Sequence, residues 1–242
     1  MLSPLDSKWS NLERYGIIKE TRMNFDYSEF KEKSREIEQR FGGTRVPVPP
    51  FSSKGCKLLR QDQPDLSKFV PSKGTRLLDL GSGVYSPLRS FWEGESAEYY
   101  TLDSDDSLDA DFCNFKEVPK YLKFDYIYAN QVIEHISKEE LDNFINDVFH
   151  ATNKDGLALF TIPNVQYWFK YIGDYDHKNP ITFYQLGALL ELTGFKVIDV
   201  YKYGKRAKEI FDSKDDVKYL VEFLSRYYEM EPYDFVAVLA KK

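Results

Sequence analysis

Asp79 is followed, after Leu80, by Gly81-Ser82-Gly83, Asp103 stands some twenty residues beyond those glycines, and Asp111 comes shortly after it. Glycines let a backbone approach a ligand closely, and a helix opening after them offers free N–H groups. An acid about twenty residues on is where ribose hydroxyls find an acceptor. Asp111 adds an acceptor for an adenine amino group. Together these residues describe a cradle for a nucleotide-type cofactor. A tight turn explains Gly-x-Gly alone equally well, so the joint occurrence carries the reading. The longer Gly-x-Gly-x-x-Gly pattern is incomplete, with Ser86 in the third glycine's place, which counts against NAD.

A second group lies further along. Asn130 and Gln131 precede Glu134-His135, and His177 falls in the polar stretch GDYDHKNP. Imidazole titrates near neutral pH and can take a proton from an attacking hydroxyl. His135 and His177 are therefore the candidate catalytic residues. The plainer alternative makes Glu134 and His135 a polar entry to the following helix. His150 sits inside that helix and is assigned no role.

The elements that must position these residues alternate between strand and helix from about Lys73 onward, which implies a largely parallel sheet covered on both faces. Strands are predicted at Arg76–Leu80, Glu98–Asp103, around Leu108–Phe112, Phe124–Asn130, Gly156–Ile162, Phe195–Tyr203 and Asp234–Ala240. In such sheets ligands bind outside the carboxyl ends of the strands. Asp79, Asp103, Asp111 and Asn130 all fall there. Helix starts are marked by Ser86-Pro87 and by capping-box spacings at Ser137/Glu140 and Thr182/Gln185, with Gly194 as a stop signal. A further helix is expected from Ala207 to about Tyr228. Spacing leaves the direction of the last strand open.

Residues 1–72 look different. Tyr27 to Phe41 places Phe30, Ile37 and Phe41 near one helical face, as in an exposed amphipathic helix, and GGTRVPVPP then breaks regular structure. We read 1–72 as an N-terminal helical arm or lid and 73–242 as the cofactor-binding domain. Tyr167, Trp168, Phe169 and Tyr171 form a dense aromatic run after the fifth strand. It reads either as a wall over an acceptor pocket or as a helix packed on the arm.

The net charge of −6 argues against nucleic acid as a partner, since an acidic surface repels phosphate backbones. The local basic stretch KYGKRAK, 202–208, reads as a solvated helix start or as a contact for an anionic substrate. No apolar run approaches the roughly 20 residues that span a bilayer. No secretory signal is visible, and the two cysteines, Cys56 and Cys113, show no pairing pattern. A cytoplasmic location is the expectation. Oligomeric state is not legible.

The series LLDLGSGVYSPL, YTLDSDDS, DADFCNF, FDYIYANQVIEHI and NKDGLALFTIPN resembles the ordered motifs of class I, Rossmann-like S-adenosylmethionine-dependent methyltransferases. Within them it is most similar to the group holding ubiquinone-biosynthesis and other small-molecule O-methyltransferases. The resemblance covers about residues 74 to 200. It implies a doubly wound seven-stranded α/β sheet whose last strand is antiparallel. It implies S-adenosylmethionine as cofactor, with Asp79, Gly81 and Gly83 at the methionine moiety and Asp103 at the ribose. Asp111 and Phe112 would face adenine, Asn130 and Gln131 would border the sulfonium and acceptor, and Ser82 and Ser104 would complete the contacts. Ser82 stands where Ala or Cys is common, and Tyr85 and Ser86 replace a further small residue.

The acceptor implied is a small molecule or glycan, methylated on oxygen or nitrogen. Small-RNA ribose 2′-O-methyltransferases carry Glu-x-x-Glu-His and a later His that hold a divalent cation. Here Gln131 occupies the first position, and Glu134, His135 and His177 match the rest. Gln is a poorer ligand for a hard cation. A metal-assisted RNA or nucleotide ribose methyltransferase is thus the rival enzyme reading, and a non-catalytic S-adenosylmethionine-binding subunit is the rival from another class.

Overall fold

A computed structural model describes residues 26–42, 56–58, 64–84, 88–93, 97–165, 173–204, 213–216, 219 and 233–242. Its elements are α1 (Tyr27–Ile37), a π-helical turn (Glu38–Gly42), β1 (Cys56–Leu58), β2 (Arg76–Leu80), α2 (Arg89–Glu93), β3 (Glu98–Leu102) and β4 (Phe124–Asn130). There follow a 3-10 turn (Ile133–His135), α3 (Lys138–Ala151), β5 (Thr152–Pro163), α4 (Phe183–Thr193), β6 (Lys196–Tyr203) and β7 (Phe235–Lys241).

These strands form one seven-stranded sheet in the order β1-β6-β7-β5-β4-β2-β3. The pairs β2–β3, β2–β4 and β4–β5 are parallel, whereas β7 runs antiparallel to both β5 and β6. The α/β class and the antiparallel last strand are as expected. One strand is not the one predicted. Residues 108–112 supply only an isolated bridge between Leu102 and Phe112. The acid-rich stretch before it folds into local turns instead: Asp105 accepts from the Ser107 amide at 3.0 Å and from its hydroxyl at 2.6 Å. Such side-chain bonds compete with the ladder. The seventh strand is β1, in the segment read as arm, pairing parallel to β6.

Parallel strands demand cover on both faces, and the apolar residues divide accordingly. On one side Leu78, Leu80, Ile127 and Phe160 pack with Ile145 and Val148 of α3 and Leu186 and Leu190 of α4. On the other, Phe69, Leu88 and Trp92 cover Leu77, Tyr128 and Leu159; Phe69 and Trp92 each hold their ring centroid 5.2 Å from that of Tyr126. α1 is not an isolated exposed helix. Its Ile37 is fully buried and lies against Gly187 of α4, where a Cβ on Gly187 would meet Ile37 Cγ2 at 2.8 Å.

Thr182 and Gln185 form the predicted capping box, and Gly194 closes α4 at φ 113°. At α3 the cap differs: the Ser137 hydroxyl donates to the Glu140 carboxylate at 2.7 Å and makes no bond to a backbone amide. The Ser86-Pro87 helix start, the aromatic run 167–171 and most of the expected 207–228 helix lie outside the described residues. Of the basic stretch, Lys202 is 3% exposed in β6, with its Nζ 5.5 Å from the centroids of Phe183 and Tyr233; the solvated reading does not hold for it. No helix among the described residues is long and apolar enough to cross a membrane.

Candidate active site

The carboxyl ends of β2 and β3 bring the first group together. Asp79 is 2% exposed because its strand is flanked on both sides, opposite Thr101 of β3 and Tyr128 of β4. Burial of a carboxylate is tolerable only with donors, and the Tyr99 hydroxyl supplies one at 2.5 Å. Past the strand end, Gly81 and Gly83 both take left-handed backbone, φ 63° and 56°. At Gly81 glycine is required twice over, since a Cβ would also stand 2.6 Å from Val132 Cγ2. At Gly83 the space a Cβ would fill is open to 4 Å, which leaves the backbone approachable.

Asp103 closes the other side. Its Oδ2 accepts from the Gly83 amide at 2.9 Å and its Oδ1 from the Asp105 amide at 3.0 Å. A carboxylate has about four acceptor positions, so the acid that fixes the glycine loop still has capacity for ribose hydroxyls. Ser82 is half-buried and Ser104 exposed beside this pair. Asp111 spends one oxygen on Thr101, accepting from its amide at 2.8 Å and its hydroxyl at 3.0 Å. Phe112 is half-buried and stacks on Tyr100 at a centroid distance of 6.2 Å. The glycine backbone and the spare acceptors are the donor and acceptor set that S-adenosylmethionine requires, and the residues fit that cofactor.

The second group forms where β4 and β5 end. Thr161, fully buried, donates to Asn130 Oδ1 at 2.7 Å and accepts from Gln131 Nε2 at 3.0 Å and the Gln131 amide at 3.1 Å. Gln131 has φ 56°, a conformation that costs a non-glycine residue on the order of 1 kcal/mol and clusters at functional sites. The chain then turns sharply into Ile133–His135. The loop 173–180 folds back over that turn, with the amides of Lys178 and Asn179 donating to Glu134 O at 2.7 and 3.0 Å.

This fold-back unites the distant histidines. The rings of His135 and His177 lie 5.0 Å apart in a T-shaped arrangement. His135 Nδ1 is 3.3 Å from Asp176 O; a carbonyl only accepts, so Nδ1 is the donor in this contact. The His177 side chain is 7% exposed, with Nε2 3.7 Å from Asp174 Oδ2. Between them Glu134 is 1% exposed, and neither of its carboxylate oxygens meets a hydrogen-bond partner among the described residues. Burial pushes its carboxyl up to about 8, which its own peptide group offsets only in part and the charge of Asp174 adds to.

Spacing arguments did not single out Tyr99 or Thr161. For Thr161 a signal exists, a lone hydroxyl inside the apolar run GLALFTI; Tyr99 carries none, because tyrosine is ordinary in a strand.

The model of a methyltransferase domain matches residues 56–200. No curated protein matches the chain. Among solved structures it is similar to an S-adenosylmethionine-dependent methyltransferase from Archaeoglobus fulgidus, at 17% identity and a TM-score of 0.59 over 90% of this chain and 100% of that one. It is also similar to phosphoethanolamine N-methyltransferase 2 from Haemonchus contortus, at 20% identity and a TM-score of 0.51 over 73% of this chain and 51% of that one. A methyltransferase from Mesorhizobium loti gives 15% identity and a TM-score of 0.50 over 73% of this chain and 95% of that one. These likenesses show the shared fold. With the domain match covering more than half its length, the chain belongs to the methyltransferase-domain family and is a class I S-adenosylmethionine-dependent methyltransferase.

Proposed function

We propose that this enzyme methylates an oxygen of a small-molecule or glycan acceptor, and that Glu134, His135 and His177 handle the acceptor hydroxyl. The observation that supports this is the 5.0 Å approach of the two imidazoles at the same sheet edge as Asn130 and Gln131. S-adenosylmethionine, when bound, supplies a methyl group activated on sulfonium. Asp79, Gly81, Ser82 and Gly83 would hold its methionine end, Asp103 and Ser104 the ribose, and Asp111 and Phe112 the adenine. Asn130 and Gln131, locked to each other through Thr161, would set the boundary between cofactor and acceptor. Methyl transfer is an in-line displacement, so holding the two reactants in line supplies much of the rate. The acceptor must also lose a proton as its oxygen gains carbon, and an imidazole at that oxygen is suited to assist. Domain organisation follows the same reading: 73–242 binds cofactor, and 1–72 contributes α1 and β1 around it.

The test is release of S-adenosylhomocysteine in the presence of a panel of hydroxyl-bearing and amine-bearing small molecules. Turnover with hydroxyl acceptors that is lost in His177→Ala supports the proposal. Turnover confined to amines, or unaffected by His177→Ala, overturns it.

A further inference from the structure

We infer that residues 173–180 form a lid over the transfer centre, shut in this structure, which lifts from the Ile133–His135 turn to let an acceptor reach the histidines. The inference rests on the proposed role of His135 and His177 as the groups that meet the acceptor.

In the shut position the reacting groups are out of reach. The His177 side chain is 7% exposed, and the carboxylate oxygens of Glu134 and the side-chain nitrogen of Asn179 are closed off from solvent. A base takes a proton only across a hydrogen bond of about 2.6–3.2 Å, directly or through one water. A dissolved hydroxyl cannot come that close while these groups are covered. The segment lies across the turn through the Lys178 and Asn179 amides, which donate to Glu134 O at 2.7 and 3.0 Å.

Little holds the segment there. Six of its eight residues are exposed, Tyr175 completely, and its one buried residue is the polar Asn179. The segment therefore gives up no apolar burial of its own when it lifts. Besides the two amide bonds, it is tied to the turn by the 3.3 Å contact of His135 Nδ1 with Asp176 O and by the edge-on packing of the two imidazoles at 5.0 Å. β4, which leads into the turn, is by contrast paired to β2 on one side and β5 on the other. Segments with few apolar contacts and exposed backbone open locally, well below the cost of global unfolding.

The shut position is also costly. It carries the Asn179 amide nitrogen to a buried place where it meets no acceptor among the described residues, beside a turn whose Glu134 carboxylate meets no donor. Water would pair both groups once the segment lifts. Burial without partners thus weighs against closure, at the point where the segment touches the turn. A shut state that shields the histidines and a lifted state of comparable free energy are the two positions a substrate lid requires.

The test is hydrogen exchange on the full chain, resolved residue by residue by NMR, with no acceptor present. After allowance for intrinsic rates, the Lys178 and Asn179 amides should exchange about 100-fold or more faster than those of Ile127 and Tyr128 in β4. Asn179→Leu removes the unpaired amide and should slow exchange at Lys178 about 10-fold. Asn179→Ala, which adds no bulk, should shift it in the same direction. In parallel, diethyl pyrocarbonate should modify His177 more slowly than the exposed His150, and more slowly still in Asn179→Leu. Thermal melts establish that each variant is folded. Exchange at 178 and 179 as slow as in β4, or an unchanged rate in both folded variants, overturns the inference. Modification of His177 as fast as that of His150 overturns it too. No acceptor enters this experiment, so its failure is distinct from failure of the turnover test on His177→Ala.

Discussion

The two halves of the site differ in how their polar groups are satisfied. At the ends of β2 and β3 each acid already has a protein donor: Asp79 has Tyr99, Asp103 has the Gly83 and Asp105 amides, and Asp111 has Thr101. At the ends of β4 and β5, Glu134 and the Asn179 side-chain amide nitrogen are buried without partners among the described residues, and Gln131 holds a left-handed conformation. The proposed cofactor side has its acids partnered within the chain, with acceptor capacity to spare. The proposed acceptor side carries unsatisfied polar groups and strain that a bound species would relieve.

Four measurements put that contrast to the test. The largest effect is expected on turnover: His177→Ala should lower it by about 100-fold or more while leaving S-adenosylhomocysteine affinity within about twofold, read by steady-state assay and calorimetry together. Next is Gly81→Ala. Left-handed backbone costs an alanine roughly 1–2 kcal/mol, and the Val132 contact adds to it, so chemical denaturation should show a loss of about 2 kcal/mol and cofactor affinity should fall with it.

A third test concerns pH. The Glu134 carboxyl is raised to about 8 by burial, with Asp174 adding to the shift. The folded state therefore holds a proton that the unfolded chain has released. Stability from this source is present at acidic pH and declines as pH climbs toward and through 8. The protein should lose a few °C of Tm between about pH 6 and pH 9, and Glu134→Gln should show a flatter profile. The smallest effect is Tyr99→Phe, which removes one donor from a buried acid. About 1 kcal/mol of stability is expected to go, with cofactor affinity weakened several-fold, both measurable in one thermal-shift series with S-adenosylhomocysteine.

Much of the fold was legible because its signals are local. Apolar runs marked β2, β4, β5, β6 and β7, Thr182 with Gln185 marked the start of α4, and Gly194 marked its end. The glycines and the acids at strand ends were legible for the same reason, since strand termini fix where residues 79 to 83 and 103 must lie. What escaped depends on distant partners. β1 forms a strand only against β6, over 140 residues on. The stretch 108–112 has apolar residues at either end, but Asp105 just before it is spent on a turn. The burial of Glu134 follows from amides at 178 and 179 closing over it, which no pattern near residue 134 announces. Tyr99 meets Asp79 across a register set by the sheet.

The β2–β3 edge is proposed to bind S-adenosylmethionine through Asp103 independently of the histidine cluster. Calorimetry with S-adenosylhomocysteine on the wild type, Asp103→Ala and His177→Ala tests it directly. Loss of hydrogen bonds to a charged acceptor is worth about 1.5–3 kcal/mol, so a weakening of roughly 10- to 100-fold is expected in Asp103→Ala and no change in His177→Ala. Equal affinity in Asp103→Ala and the wild type would contradict it.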